Sequence, residues 1–390
     1  MLNLMKILAI ETSCDDTCVA VAECQDNNFK LLSNIVSSQT EIHKKFGGVY
    51  PTLARREHQK NLVPVLQEAL QKAKFLKKEK SKGFKIQETL SREEVLSKLL
   101  DSFLKKYKKP DIDVIAVTNG PGLDPCLWTG INFAKALALA WKLPIIPINH
   151  IEAHIFANWL IPNSSDNKLS IINDKKNFPT IALIASGGHT QIIFIKKLGD
   201  YIIIGETRDD AAGEAFDKIA RILELDYPGG PAIEKEAEKI HRDIEISKYH
   251  INLPRPMLYT KDYDFSFSGL KTAVLYDFKK REKITKGYVR AMAKESQQAI
   301  VDVLIKKTIK AAKHYKAKTI IIGGGVSANK LLQKQFKQKI NKENLDFKLQ
   351  IPRIKFCGDN AAMIAITACF KKNMKPIHPK GLVAEPNIRL

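Results

Sequence analysis

The sequence has few of the features that mark secreted, membrane-bound or zinc-ribbon proteins. Among its 390 residues are six cysteines, and no two of them form a CxxC pair. No apolar run reaches the ~20 residues that a transmembrane helix needs, and residues 1–6 lack the apolar region and cleavage site of a secretory signal. We therefore expect a cytoplasmic protein with no membrane attachment, whose cysteines are free thiols without disulfides.

Acidic side chains are scarce relative to basic ones. The chain has 63 Lys and Arg against 42 Asp and Glu, which gives a formal net charge of +21. Such an excess favours an acidic partner such as tRNA or another nucleic acid. A general lysine bias of the organism explains it equally well, because many lysines lie within residues 77–109, which have the composition of an insertion.

One strand–turn–strand pattern occurs twice in the chain. The strands and turns are residues 6–10, 11–16, 17–22, 180–185, 186–189 and 190–195. Further strands and helices follow each hairpin, which predicts a duplicated α/β fold with a cleft between its halves. We assign residues 1–150 to the first half and residues 151–390 to the second.

Two stretches resemble insertions into this plan. Residues 77–109 are rich in lysine, serine and glutamate, with an amphipathic helical pattern from Val95 to Leu104. Residues 161–177 are polar and weakly periodic, which predicts a loop. Neither carries a chemical motif, so we expect both to decorate the surface.

Glycine-containing turns follow several predicted strands. Ser186-Gly187-Gly188 ends one strand, and Gly323-Gly324-Gly325 lies between the strand 319–322 and a helix that opens near Ser327. Glycine lets a backbone approach a phosphate closely. The polar turn 11–17 is a third candidate of this kind. Each could be an ordinary turn, but together they predict a nucleotide site.

Other side chains can read the sugar or base of such a nucleotide. Asp217 lies beside the apolar Phe216 and Ile219, where a buried carboxylate needs a partner such as ribose hydroxyls. Residues 227–231 predict a rigid turn around Gly229 and Gly230. Asn329 stands at a helix start, where its amide can meet a ribose or a base edge.

Two histidines four residues apart indicate a metal site. On a helix, His150 and His154 point the same way and can share one ion, although such a pair alone is more often structural. Asp359 precedes an apolar helix and is either its N-cap or a third ligand. Two nitrogens and one oxygen with open positions suit iron or zinc.

The motifs, taken in order, resemble those of the tRNA N6-adenosine threonylcarbamoyltransferase family, the threonylcarbamoyladenosine synthases formerly called O-sialoglycoprotein endopeptidases. The resemblance runs from Met5 to about Asn387, without the two insertions. Its motifs are Glu11-Thr-Ser-Cys-Asp-Asp-Thr17, Gly47-Gly-Val-Tyr-Pro51 with His58, Gly120-Pro-Gly-Leu123, His150 with His154, Ser186-Gly-Gly-His-Thr190, Asp210-Ala-Ala-Gly-Glu-Ala-Phe-Asp217, Asp264-Phe-Ser-Phe-Ser-Gly269, Gly324-Gly-Val-Ser-Ala-Asn329 and Asp359-Asn360. The departures are Trp128 and Thr129 before Gly130, and the insertion after Ala73.

The resemblance implies two ribonuclease-H-like halves around a nucleotide cleft, as in actin, Hsp70 and sugar kinases. It implies transfer of a threonylcarbamoyl group from threonylcarbamoyl-AMP to the exocyclic amine of the adenosine beside the anticodon, in tRNAs reading codons that begin with A. AMP is released. The matching metal ligands are His150, His154 and Asp359. The matching adenylate ligands are Ile184, Ala185, Ser186, Gly187, Gly188, Asp217, Gly230 and Asn329.

The resemblance also implies a cofactor and partners. One divalent metal is expected per subunit, Fe²⁺ first and Zn²⁺ as the alternative, and no catalytic residue is assigned beyond its ligands. The bacterial type works with a paralogous non-catalytic dimer partner and a small ATPase. The motifs at residues 11–17 and 210–218 look more like that type than like the archaeal and eukaryotic one.

Two other functions compete with the transferase. A zinc protease of the HExxH type has glutamate directly after the first histidine, but here that residue is Ile151 and Glu152 is turned off the metal face. The second is a nucleotide-dependent binding module without transfer activity. Such a shortened paralogue would be expected to lack the metal pair, whereas this chain keeps both histidines and Asp359.

Overall fold

The computed structural model describes residues 4–25, 28–79, 84, 86, 88–162, 168–170, 177–240, 248–371 and 376–390. Its strands are β1 Met5–Glu11, β2 Asp16–Gln25, β3 Asn28–Ser38, β4 Val114–Gly120, β5 Ile145–Asn149, β6 Ile161–Pro162, β7 Lys168–Ser170, β8 Thr180–Ala185, β9 Thr190–Lys197, β10 Asp200–Glu206, β11 Thr319–Gly323 and β12 Lys348–Gln350.

Eleven α-helices lie in these described ranges. They are α1 Thr40–His43, α2 Pro51–Lys72, α3 Glu94–Lys106, α4 Asp124–Trp141, α5 His150–Phe156, α6 Ala212–Ile222, α7 Gly229–Glu238, α8 Ser268–Lys280, α9 Lys286–His314, α10 Lys330–Lys342 and α11 Ala361–Phe370. Short 3₁₀ helices cover Lys44–Phe46, Ala157–Trp159, Gly325–Ala328, Ile354–Phe356 and Pro379–Gly381. None of the described helices is both long and apolar enough to cross a membrane.

The chain divides into two compact units. The first unit comprises Met1–Glu41, Val49–Asn173 and Asp359–Leu390, and the second comprises Ile42–Gly48 and Asp174–Gly358. The predicted boundary at residue 150 differs from this division. The first unit extends to residue 173 and regains the chain from Asp359. The C-terminal return is explained by α11, whose residues are almost all apolar and buried. Such a helix must be covered on every side, and it packs on β1 and β2 of the first unit.

The sheet of the first unit has the strand order β5-β4-β1-β2-β3-β7-β6. β1 pairs with β2 antiparallel and with β4 parallel, and β5 extends the parallel side. Every residue of β4 is buried, as expected for a strand covered on both faces of a sheet. One hydrophobic core of this unit contains Leu8, Ile10 and Val19 from the sheet together with Leu62 and Leu66 of α2.

The sheet of the second unit repeats this arrangement. Its order is β10-β9-β8-β11-β12, with β8 antiparallel to β9 and parallel to β11, and with β12 parallel to β11. Each strand of this sheet therefore has a counterpart in the first, strand for strand across β3-β2-β1-β4-β5. The duplicated α/β fold predicted from the two hairpins is confirmed by these equivalent orders.

The first of the predicted insertions is part of the core. Within 77–109, α3 packs against α2, and Leu96, Leu100, Phe103 and Leu104 are buried in the core of the first unit. The expectation of a surface decoration is wrong for this helix, because its apolar stripe has a partner that local sequence does not reveal.

The second insertion, 161–177, is not a single loop. Backbone pairing makes β6 and β7 an antiparallel extension of the first sheet, with β7 beside β3. Residues 163–167 and 171–176 lie outside the described residues. The loop prediction is therefore wrong for the two short strands, which are too brief to show a period in the sequence.

The cysteines differ from the expectation of free thiols. Cys24 of β2 and Cys369 of α11 form a disulfide, while Cys14, Cys18, Cys126 and Cys357 are free. The two bonded residues lie 345 positions apart, so their proximity follows from the packing of α11 on β2. Nothing in their local sequence indicates it.

Candidate functional site

The two histidines begin a helix that directly follows a strand. β5 ends at Asn149, and the Asn149 side chain accepts hydrogen bonds from the backbone N–H of Ile151, at 2.9 Å, and of Glu152, at 3.1 Å. This cap satisfies two of the unpaired donors of the first turn. It places His150 and His154 on consecutive turns of α5, as their spacing predicts.

Asp359 joins the two histidines inside the first unit. Its Oδ1 lies 3.5 Å from Nε2 of His150 and 3.2 Å from Nε2 of His154. One potential ligand atom from each of the three residues lies within 4.8 Å of the others. Both histidines are buried, and their rings meet edge to face at 4.6 Å between centroids. The structure thus brings the three predicted ligands together.

The alternative role of Asp359 as a helix cap is taken by its neighbour. The side chain of Asn360 accepts from the backbone N–H of Met363 at 3.1 Å and caps α11. Asp359 therefore stands just before the helix, where its carboxylate can face α5.

Several contacts hold α11 against α5. The rings of Phe156 and Phe370 lie 4.5 Å apart between centroids, and Lys371 forms an ion pair with Glu152. Glu152 follows His150 and precedes His154 by two residues each, which on a helix places it about 200° from either histidine. Its use as the general base of a metalloprotease, already disfavoured by the sequence, receives no support from this geometry.

Glu11 is a site residue whose role the sequence did not reveal. It is fully buried at the end of β1, and its Oε2 lies 3.0 Å from Nδ1 of His150 while accepting from Thr118 Oγ1 at 2.6 Å. Its Oε1 accepts from the backbone N–H of Ser13 at 2.5 Å. A carboxylate behind a histidine fixes which ring nitrogen carries the proton. In the neutral form of the ring, Nε2 of His150 therefore faces Asp359 with its lone pair.

The turn 11–17 therefore supports the histidines. The sequence predicted a phosphate-binding turn here. In the structure, Glu11 and Ser13 of this turn both contact His150, with Ser13 Oγ 3.1 Å from Nδ1 of the histidine. His58 of α2 holds the turn from the other side, with Nε2 donating to the carbonyl of Cys14 at 3.0 Å and Nδ1 bonded to Thr17 Oγ1 at 2.8 Å.

The surroundings of the two histidines shift their pKa values in opposite directions. Burial disfavours the charged form of His150, but the carboxylates of Asp359 and Glu11 outweigh it and raise the pKa of His150 to about 9. For His154, burial dominates, and with the neighbouring His150 it lowers the pKa. The pKa of Glu11 is lowered: burial opposes this shift, and the charge of His150 overcomes it.

These three side chains can hold a divalent metal ion. Both ring nitrogens of His154 are buried and neither has a partner in good hydrogen-bond geometry among the described residues, although Nε2 lies 3.2 Å from Asp359 Oδ1. A buried nitrogen without a partner costs about 1–3 kcal/mol unless something binds it. Two imidazole nitrogens and one carboxylate oxygen are donors that iron and zinc both accept, so the observed set fits such an ion.

The second unit contains the predicted glycine turn. β8 ends at Ala185, and the backbone N–H of Ser186 donates to the carbonyl of His189 at 2.8 Å. Gly187 and Gly188 are exposed, and a Cβ added to either would meet nothing within 4 Å. Their backbone is thus open to a ligand.

Two other glycines are required by close packing against this turn. A Cβ on Gly324, whose φ is +84°, would lie 2.4 Å from the carbonyl oxygen of Ala185. A Cβ on Gly213 would lie 2.6 Å from the carbonyl oxygen of Ser186. The glycine run after β11 and the start of α6 therefore both touch the end of β8, which brings the predicted phosphate elements of this unit together.

Asp217 is half-buried and has a partner that the sequence did not indicate. Its Oδ1 accepts from the backbone N–H of Gly229 at 2.7 Å, at the first residue of α7. The predicted rigid turn at 227–231 thus ends at Pro228, and Gly229 and Gly230 begin a helix. Asp217 also lines a cavity of about 450 Å³ together with Phe46, Arg221 and Tyr227.

Asn329 is the N-cap of α10. Its Oδ1 accepts from the backbone N–H of Leu332 at 2.9 Å and from Nε2 of Gln297 at 3.4 Å. Both bonds use the carbonyl oxygen of the amide. The position at a helix start agrees with the sequence prediction, and these two bonds do not use the amide nitrogen.

Comparison with known proteins identifies relatives over nearly the whole chain. The sequence profile of the tRNA N6-adenosine threonylcarbamoyltransferase family matches residues 30–81 and 90–366. The enzyme of that name from Thermosipho melanesiensis is 46% identical over 363 residues, which cover 93% of each chain. That from Geobacillus kaustophilus is 42% identical over 388 residues, covering 98% of this chain and 96% of the relative. Since the profile omits only 82–89 within the matched stretch, most of the supposed insertion 77–109 is common to the family.

A solved structure agrees at the level of the fold. Full-length HypF in its phosphate- and nucleotide-bound form superposes with a TM-score of 0.50 at 12% sequence identity, covering 96% of this chain and 47% of HypF. Together with the two equivalent sheets, this places the chain in the duplicated α/β class of actin, Hsp70 and the sugar kinases.

Proposed function

Because the chain belongs to the tRNA N6-adenosine threonylcarbamoyltransferase family, we propose that it transfers the threonylcarbamoyl group of threonylcarbamoyl-AMP to tRNA. The acceptor is the exocyclic amine of the adenosine beside the anticodon, in tRNAs that read codons beginning with A, and AMP is released. The observation that carries this proposal is the buried set of His150, His154 and Asp359, in which a histidine nitrogen lacks any described partner.

We assign one divalent ion per subunit to Nε2 of His150, Nε2 of His154 and Oδ1 of Asp359, with Fe²⁺ first and Zn²⁺ as the alternative. When bound, such an ion supplies Lewis-acid polarisation of an oxygen of the threonylcarbamoyl group. The chain prepares the donors. Glu11 holds one proton of His150 on Nδ1, so Nε2 becomes a donor when the ring loses its second proton, whose pKa is about 9. The lowered pKa of His154 keeps that imidazole neutral.

The chemistry needs no covalent enzyme intermediate. In the mixed anhydride the acyl carbon is already activated, so the amine nitrogen can form the new bond to it directly. The bond between that carbon and the phosphate oxygen breaks, AMP leaves, and the proton of the amine passes to the leaving phosphate or to water. The cysteines agree with direct transfer. Burial raises the pKa of Cys18 well above its usual range and that of Cys126 to about 12, so neither forms the thiolate that a nucleophile requires. Orientation and stabilisation of developing charge supply the catalysis.

The adenylate is proposed to bind Ile184, Ala185, Ser186, Gly187, Gly188, Asp217, Gly230 and Asn329. The exposed backbone of the glycine turn offers N–H groups to phosphate oxygens, and the amide nitrogen of Asn329 can donate to a sugar or base. HypF, which shares the fold, is described in a phosphate- and nucleotide-bound form, which supports a nucleotide site in this architecture.

The proposed setting follows the same family resemblance. We propose that the enzyme works in the cytoplasm with a paralogous non-catalytic dimer partner and a small ATPase. The excess of basic side chains supports tRNA as the acceptor, since phosphates are neutralised by Lys and Arg.

Replacing His150 tests the proposal. His150→Ala should lose bound metal and tRNA modification while remaining folded and keeping its affinity for AMP, although the buried Glu11 loses its partner and the unfolding midpoint should fall. The exposed His250 offers a matched control, and His250→Ala should retain both metal and activity. The measurements are metal content and modification of a tRNA transcript with the partner proteins present. Normal tRNA modification by a metal-free His150→Ala protein would refute the proposed role of the metal ion.

A further inference from the structure

A groove in the second unit carries charges that the proposed reaction site does not use. It runs between α9 and α10 and encloses about 700 Å³. Lys306, Lys310 and Lys313 line it from α9, and Lys339 and Lys342 line it from α10. Their spacing of three or four residues places them on one face of each helix. Leu258, Ile305 and Ile309 also line it, so the charges surround apolar surface.

The two carboxylates in this groove are already neutralised. Glu343 pairs with Lys313 and with Lys339, each at 2.6 Å, and these contacts lower the pKa of Glu343 to about 2. Asp302 accepts from the guanidinium of Arg255 at 3.1 Å. The groove therefore has a surplus of positive charge.

Three lysines supply that surplus. Within the described stretch 248–371, which holds both helices, Lys306, Lys310 and Lys342 form no ion pair. Nζ of Lys310 donates to the carbonyl oxygens of Thr260, at 2.9 Å, and of Lys261, at 2.6 Å. Neutral oxygens position this ammonium without cancelling its charge.

An exposed aromatic ring lies beside these charges. Tyr259 is 84% exposed, the most exposed of the large hydrophobic residues in the described chain. Nζ of Lys306 lies 3.6 Å from its ring centroid, a cation–π contact that orients both groups. An aromatic ring that remains open to solvent beside lysines is a platform on which an unpaired base can stack.

We propose that this α9–α10 groove binds the tRNA, with backbone phosphates at Lys306, Lys310 and Lys342 and an unpaired base on Tyr259. The inference rests on the proposed function for the identity of the RNA. An acidic protein helix could use the lysines and the apolar floor. The ring of Tyr259, held open beside Lys306, is the additional feature that favours a nucleic acid.

Charge reversal of the three lysines tests this surface. The variant combines Lys306→Glu, Lys310→Glu and Lys342→Glu in the full-length chain, and binding to a tRNA transcript is measured across a salt titration. Affinity should fall at least about tenfold, and the slope of log affinity against log salt should lose about two to three units, because three phosphate contacts are removed. Tyr259→Ala should lose about tenfold in affinity with little change in the salt slope.

The control changes the net charge equally in the first unit. It combines Lys77→Glu, Lys78→Glu and Lys109→Glu, exposed lysines of the supposed insertion, and should lose less than about threefold. A groove variant with wild-type affinity and slope overturns the proposal and leaves the groove to a protein partner. An equal loss in both variants also overturns it, because net charge alone then explains the effect.

Two further readouts separate this inference from the proposed function. AMP affinity and metal content should stay at wild-type values in the groove variant, and its unfolding midpoint should match that of the control. If the wild-type enzyme modifies tRNA and the groove variant binds tRNA as tightly as wild type, only the proposal of a tRNA-binding groove is refuted. Wild-type enzyme that fails to modify any tRNA with its partners present refutes the proposed function instead.

Discussion

The carboxylate of Glu11 and the imidazole of His150 lie 3.0 Å apart although 139 residues separate them in the sequence. The contact joins the end of β1 to the first turn of α5, and both side chains are shielded from solvent. It determines which nitrogen of His150 faces Asp359, so a residue outside the candidate ligand set controls the donor that the metal would meet.

Replacing Glu11 should therefore weaken metal binding. Glu11→Gln keeps the size of the side chain but removes the negative charge that orients the ring of His150 and raises its basicity. We expect a loss of about 10–100-fold in affinity for Zn²⁺ or Fe²⁺. The measurement is a competition titration with a chelator. Glu152→Gln is the matched control, because Glu152 is also buried in this site region but pairs with Lys371. Equal affinities in Glu11→Gln and wild type would show that the contact is structural only.

Replacing Asp217 should weaken adenylate binding. Asp217→Ala removes the acceptor of the Gly229 N–H, and we expect a loss of about 1–3 kcal/mol in the free energy of AMP binding, measured by calorimetry. Asp217→Asn keeps an acceptor for Gly229 without the charge. Recovery in Asp217→Asn would mean that Asp217 acts by holding the start of α7, whereas continued loss would favour direct contact with the ribose. Unchanged AMP affinity in Asp217→Ala would rule out both roles.

Asp16 should make the metal-free protein less stable as the pH rises. Burial raises the pKa of this carboxyl to about 7, with further contributions from the charges of Asp15 and Asp359. The unfolded chain releases the same proton near pH 4. Between about pH 4 and 7 the folded state therefore binds more protons than the unfolded state, and its stability falls with rising pH.

The variant Asp16→Asn isolates this effect. Between pH 5 and 8, the free energy of unfolding of metal-free Asp16→Asn should fall less than that of wild type, as measured by urea denaturation at each pH. The expected advantage of the variant is largest above pH 7, where the wild-type carboxylate is charged and buried. Parallel pH profiles for the two proteins would contradict the shifted pKa.

The helix α3 should contribute to stability. Leu100→Ala removes a fully buried side chain from the core of the first unit, and we expect a loss of about 2–5 kcal/mol in the free energy of unfolding. Leu99, its neighbour on the same helix, is 37% exposed, so Leu99→Ala should cost much less. Equal and small losses in the two variants would instead support the original expectation that residues 77–109 decorate the surface.

The elements that could be predicted are those whose signal is local. β1, β2, β8 and β11 are apolar runs bounded by polar or glycine turns. The ends of β1, β8 and β11 lie within one residue of their predicted positions, and β2 extends three residues beyond its predicted end. The i, i+4 spacing of His150 and His154 correctly placed both on one helix. The motif order was equally informative, because it carries the family resemblance without requiring any contact to be known.

The features that could not be predicted depend on contacts between distant residues. Glu11 has an ordinary strand-end position in the sequence, and only the pairing of β1 with β4 brings it to Thr118 and His150. Cys24 and Cys369 meet only through the packing of α11. The apolar stripe of α3 looked like a surface feature because the helix it packs against, α2, ends about 20 residues earlier in the sequence. In each case the missing information was the identity of the neighbour.

The return of the chain to its first unit has a consequence for biosynthesis. A nascent chain that has emerged as far as residue 350 carries both histidines and Glu11, but it lacks the carboxylate of Asp359 and the helix that covers β1 and β2. The donor set is therefore incomplete until the last part of the polypeptide leaves the ribosome. If the proposed ion is bound, its complete set of three ligands forms only after residue 359 has left the ribosome, and a product truncated before that residue lacks one of the three donors.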